Sequence, residues 1–166
     1  MAVPAQPVAA DACFLINFLA VDRMDLLESL VSYRFHCALE VSREVVRPVQ
    51  AERLDRAISA GILDLIEIVD LAEIALVTDL LHEQLGRGES ACLALAESRG
   101  WVLASDERGR FRRLATERIG EGRLMTTRDA LAQAVLVGSV EGSEARALAE
   151  DLRDNHRFTM AIPGTW

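Results

Sequence analysis

Between Leu85 and Arg110 the chain reads LGRGESACLALAESRGWVLASDERGR: a helical pattern stopped by a glycine, a short apolar run, then an acid. Few folds accept that succession. Ser90 to Ser98 is rich in Ala and Leu, which tolerate a helix best, so Glu89 falls in a first helical turn behind Gly86-Arg87-Gly88. Gly100 ends the helix. Trp101-Val102-Leu103-Ala104 has the unbroken apolar character of a strand covered on both faces, and Ser105-Asp106 closes it. Sheets of such strands are parallel, and their ligand crevice lies beyond the carboxyl ends of the strands. Asp106 stands at such an end.

The rest of the chain repeats this grammar. Val3 to Ala10 ends in Val8-Ala9-Ala10 and leads into Asp11, after which Phe14, Leu15, Phe18 and Leu19 recur at helical spacing. Asn17 lies among them, placed to orient a neighbour. A helix from Asp22 buries Met24, Leu27 and Leu30 or Val31; Arg34 to Leu39 is a strand. Val41 and Val45 then share a helix face with Glu44 beside it, one turn in from the helix start. Pro48 opens a helix, Val49 to Ala60, with Leu54 and Ile58 on one side. A β-branched segment, Leu65 to Val69, predicts a strand. Leu71 to Leu85 predicts an amphipathic helix with Leu71, Ile74, Ala75, Thr78, Leu81 and Leu85 on its apolar face. Beyond Asp106 come a basic helix to Arg118 and a last strand, Arg123 to Met125. Thr126 with Asp129 has capping-box spacing, which gives Asp129 a structural role. Helices Ala130 to Val137 and Ser143 to Asn155 follow, then a tail from Phe158. Strands alternating with helices predict a parallel sheet covered on both sides, with right-handed crossovers.

With 166 residues, about half of them apolar, residues 1–166 are expected to form a single domain, its C-terminal helices starting near 128 and its tail near 158. No apolar run approaches the roughly 18 residues of a membrane span, and no signal-peptide pattern opens the chain, so a cytoplasmic location is expected. Cys13, Cys37 and Cys92 form no CxxC pair and read as reduced core residues. The net charge of -8 argues against binding nucleic acid by electrostatics alone; metal ions would have to help. All eighteen basic residues are arginine, which excludes a phosphate-binding P-loop and Schiff-base chemistry, since both need a lysine.

Asp11, Glu44, Glu89 and Asp106 fall at strand ends or first helical turns on one edge of such a sheet. Singly, each has an ordinary explanation: Glu89 at a helix start gains about 0.3–1 kcal/mol from the helix dipole. Together they need a proton or a cation, because carboxylates about 4 Å apart repel by roughly 1 kcal/mol in water and about 4 at an effective dielectric of 20. Mg²⁺ or Mn²⁺ suits carboxylate and water oxygens and can hold a phosphate oxygen as well. One such ion, or two about 3.5–4 Å apart, can clamp a phosphodiester for in-line hydrolysis. Rival motifs fail in context. Gly86-Arg87-Gly88-Glu89-Ser90-Ala91 fits the GxGxxA string, but a helix rather than a strand precedes it, and Glu89 would face the pyrophosphate. The three histidines lack zinc-ligand spacing, and Ser90 has no GxSxG setting.

A strand ending in Asp11, then Val41-Ser42-Arg43-Glu44, Gly88-Glu89-Ser90-Ala91 and Leu103-Ala104-Ser105-Asp106 followed by Arg110, resembles a PIN domain. The LGxGE segment, the NFL and DLL stretches and the C-terminal helices are similar to the domain-of-unknown-function branch of PIN proteins related to VapC toxins. The resemblance implies a three-layer α/β/α sandwich and a metal-dependent endoribonuclease, often the toxin of a toxin–antitoxin pair and often a homodimer. Asp11, Glu44, Glu89 and Asp106 correspond to the family's acidic quartet that binds Mg²⁺ or Mn²⁺. Asn17, Ser105 and Arg110 are candidates for contacts to the substrate or to the quartet. The sequence departs from the family at two places: Ala12 replaces the usual Ser or Thr, with Cys13 next, and Ser105 stands where this branch often has another aspartate, with Glu107 nearby. The competing expectation is a non-catalytic PIN-fold binding or scaffold module; the four intact acids favour the enzyme.

Overall fold

The computed structural model describes residues 4–166. Five strands form the sheet: β1 (Gln6–Ala10), β2 (Tyr33–Ala38), β3 (Leu63–Ile66), β4 (Val102–Ala104) and β5 (Leu124–Met125). All pair in parallel in the order β3-β2-β1-β4-β5. The chain therefore builds outward from β1 on one side and then switches to the other. The switch point lies between β1 and β4, where Asp11 N–H donates to the Ala104 carbonyl at 2.9 Å and the carboxyl ends of both strands open into one crevice. Val3, in the predicted first strand, lies outside the described residues.

Helices cover both faces. α1 (Ala12–Ala20), α2 (Asp25–Ser29), α4 (Pro48–Ser59), α8 (Thr127–Leu136) and α9 (Gly142–His156) pack on one another along one side. α3 (Leu39–Ser42), α5 (Leu71–His82), α6 (Arg87–Arg99) and α7 (Gly109–Ile119) form the other layer, and this completes the three-layer α/β/α sandwich. α6 is its centre: Ser90 to Ala96 are all buried, as befits a helix apolar on every side, and Gly100 ends it in the left-handed conformation at φ 69°. β4 is buried throughout, as its apolar run requires. Phe14, Phe18 and Phe35 fill the other side of the sheet, the two helical rings 5.1 Å apart. The tail folds back on α9, where Arg146 donates to the Trp166 carbonyl.

Several local expectations are corrected. Glu44 is not inside a helix: α3 ends at Ser42, and Glu44 follows in the turn before α4, although Val41 and Val45 are both buried as expected. Around α2, Met24, Leu27 and Leu30 are buried as expected, Leu26 joins them, and Val31 is exposed. In α4 the buried apolar residues are Leu54 and Ala57, with Ile58 only packed against the core. The largest correction concerns α5. Leu71, Ile74 and Leu81 face outward, while Glu73 and Leu80 are buried. Glu73 turns inward because Arg99 and Ser98 of α6 meet its carboxylate, the Arg99 Nε contact being 2.6 Å, so the two helices join through an ion pair buried on the Glu73 side only.

Candidate metal and substrate site

Each acid reaches the crevice by a different local device. Asp11 leaves β1 and caps α1: its Oδ1 accepts from Ala12 N–H at 2.8 Å, while Oδ2 accepts from Ser105 Oγ at 3.0 Å and from the Cys13 thiol at 3.2 Å. Glu89 reaches back over the start of α6, its Oε2 accepting from Gly86 N–H at 2.8 Å. Glu44 lies across from the same helix start, where Gly88 N–H donates to its Oε1 at 2.8 Å. A Cβ on Gly88 would meet the Glu44 carboxylate at 2.7 Å, so glycine is the residue that lets the acid dock on the helix terminus.

The loop after β4 divides its acids between two directions. Ser105 is buried beside Asp11, and its hydroxyl also accepts from Glu107 N–H at 3.2 Å, which orders the turn. Glu107 returns to the crevice. Together with Asp11, Cys13, Glu44 and Glu89 it lines a cavity of about 300 Å³. Asp106 turns the other way: its carboxylate accepts from Thr127 N–H at 2.9 Å, from Thr127 Oγ1 and from Asn17 Nδ2 at 3.2 Å. The same Asn17 nitrogen also donates to Thr127 Oγ1 at 3.1 Å. Arg110 reaches away, pairing with Glu83 at 3.1 Å.

The structure therefore gathers Asp11, Glu44 and Glu89 around one cavity, adds Glu107 as the fourth carboxylate there, and turns Asp106 away from it, against Thr127 and Asn17. Charge follows geometry. Partial desolvation at the cavity rim raises the pKa of Glu107, an exposed residue, and the charges of Asp11, Glu89, Asp106 and Glu44 raise it further. Asp106 is also shifted upward, by burial against the opposing pull of the Thr127 and Asn17 hydrogen bonds. Cys13 is half-buried in this site rather than in the core, its thiol pushed well up by burial and by the Asp11 charge. Cys37 and Cys92 are the buried core thiols expected, and burial holds Cys37 at about 12.

The donor set fits a divalent ion. One ligand atom each from Asp11, Cys13 and Glu107 lie within 4.8 Å of one another, and carboxylates predominate around the cavity, which suits a hard cation. Thr127 has no local signal in the sequence, because its contact with Asp106 spans 21 residues, whereas Glu107 stands two residues beyond Ser105.

Residues 7–155 match the family model DUF3368, described as a PIN domain. The crystal structure of PAE2754 from Pyrobaculum aerophilum is similar in fold, with a TM-score of 0.52 at 14% identity over 82% of this chain and 94% of that chain. No curated protein matches the sequence. With the match spanning most of its length, and a parallel sheet carrying acids at its switch point, this chain belongs to the PIN-domain family.

Proposed function

We propose that this protein is a metal-dependent endoribonuclease that hydrolyses RNA phosphodiesters, of the VapC-like kind, and the toxin of a type II toxin–antitoxin pair. The observation that carries the reading is the convergence of Asp11, Glu44, Glu89 and Glu107 on one cavity at the switch point of a PIN-family sheet. These carboxylates would hold Mg²⁺ or Mn²⁺, with Asp106 kept behind them by Thr127 and Asn17. When bound, the ion supplies Lewis-acid charge for the phosphate and an activated water. The chain's own residues perform the positioning. Ser105 and Ala12 N–H aim the Asp11 carboxylate, the α6 terminus aims Glu44, and the Gly86 amide restrains Glu89.

The partners that go with this reading are an RNA substrate, an antitoxin and a second copy of the chain. The exposed apolar residues Leu71, Ile74 and Leu81 of α5 supply surface for protein contact. Residues 1–166 are read as one unit working in the cytoplasm. Among the described residues, no helix is long and apolar enough to cross a membrane. Cleavage of a structured RNA panel in Mn²⁺, Mg²⁺ and EDTA, with Asp11→Asn beside the parent, tests the activity. Cutting that requires both the ion and Asp11 is the expected result; equal cutting by the variant would remove the acids from the chemistry.

A further inference from the structure

Beside the acid cavity, across Glu107, lies a larger one of about 520 Å³ between the start of α7, the start of α8 and the tail. Asp106 and Glu107 form the wall nearest the acids. Arg108, Arg112, Arg113 and Arg128 line much of the rest, with Phe158 on the tail side. Its volume is that of a small-ligand site, about 300–1,000 Å³.

Four arginines around one concavity run against the character of the chain, in which 26 acids outnumber 18 bases. Half of the arginines pair with carboxylates among the described residues, as Arg23, Arg34, Arg99 and Arg118 do. Here only Arg112 does so, with Glu121. Arg108 donates to the Thr159 carbonyl, which ties the tail to the cavity rim. Arg113 and Arg128 are exposed and join no ion pair among the described residues. Guanidinium groups held around a hollow repel one another until an anion enters, and their planar fork suits a phosphate.

We propose that this arginine-lined cavity is a subsite for the phosphodiester backbone of a single RNA strand, next to the bond held at the acids. Arg113 and Arg128 bind the phosphates, and Phe158 offers a face on which a base stacks. The subsite rests on the ribonuclease reading for the identity of its polyanion. It gives an acidic protein a local means of binding RNA, and it continues the acid cavity, because Glu107 borders both.

The test is a fluorescence-anisotropy titration of a labelled, mixed-sequence single-stranded RNA in EDTA, at several salt concentrations. Without metal no cutting intervenes, so binding is read apart from catalysis. The Arg113→Ala/Arg128→Ala variant is expected to bind about tenfold or more weakly and to lower the slope of log affinity against log salt by about 1.4, near 0.7 for each lost phosphate contact. Phe158→Ala weakens binding without changing that slope. Arg56→Ala, an exposed arginine on α4 outside the cavity, leaves affinity and slope unchanged. The proposal is overturned if the double variant binds like the parent, if the parent shows no salt-dependent binding, or if polyglutamate rather than RNA is the polyanion whose binding the double variant loses. Binding that behaves as expected in a parent that cuts no RNA supports the subsite while sinking the nuclease reading alone.

Discussion

Gly88 and Glu44 are 44 residues apart in sequence, yet the amide of one donates to the carboxylate of the other at 2.8 Å, and a Cβ at 88 would meet that carboxylate at 2.7 Å. Alanine at 88 should help the helix, since it exceeds glycine in propensity by about 1 kcal/mol. Its Cβ would nonetheless displace the flexible Glu44 carboxylate. Gly88→Ala is therefore expected to keep or slightly raise the melting temperature while weakening Mn²⁺ binding roughly ten- to a hundredfold. Calorimetric titration with Mn²⁺ beside a thermal melt checks both; undiminished Mn²⁺ affinity would remove Glu44 from the metal site.

Asp106 and Glu107 should respond to neutralisation in opposite ways. Asn at 106 turns one acceptor into a donor against Thr127 and Asn17, at an expected cost of about 1–3 kcal/mol in urea unfolding. Glu107→Gln, on an exposed residue, should change stability by less than about 0.5 kcal/mol and lower Mn²⁺ affinity at least tenfold. The reverse pattern would make Asp106 the ligand and Glu107 the bystander.

Cys13 gives the cavity a soft donor beside hard ones. Thiolate favours thiophilic ions, and such an ion displaces the thiol proton that burial and Asp11 otherwise retain. Co²⁺ or Cd²⁺ is expected to produce a sulfur-to-metal charge-transfer band in the parent that Cys13→Ser abolishes, with Mn²⁺ affinity little changed. An identical spectrum in both proteins would place Cys13 outside the coordination sphere.

His36 links stability to pH. Burial lowers its pKa more than the nearby Asp64 raises it; its ring stacks on Trp101 at 4.4 Å between centroids, and its Nδ1 has no hydrogen-bond partner. Folding favours the neutral ring, so this contribution is complete above the unfolded value near 6.5 and is lost as pH falls from there through the folded value. Melts at pH 7.5 and 5 should show a larger loss for the parent than for His36→Phe, which keeps the stack without the titration. Equal losses would assign the acid sensitivity to other groups.

Much of this architecture is local and so was legible in the sequence. The unbroken Trp101-Val102-Leu103-Ala104 run became a fully buried parallel strand, because a strand covered on both faces has no place for polar side chains. Gly100 and the Thr126-Asp129 box marked real helix ends, since caps act within a few residues. Asp11 and Glu89 followed from the same signals. The tertiary structure alone decided the rest. Residues 105, 106 and 107 leave β4 toward alternating sides, so Ser105 meets Asp11, Asp106 meets Thr127, and Glu107 returns to the cavity. Periodicity also assigned the wrong face to α5, because the ion pair that buries Glu73 is made by an arginine 26 residues later. Hydrophobic spacing registers neighbours one turn away along the chain. Which acids share a cavity, and which arginines gather beside them, depends on strand order and loop direction, and those exist only once the sheet has formed.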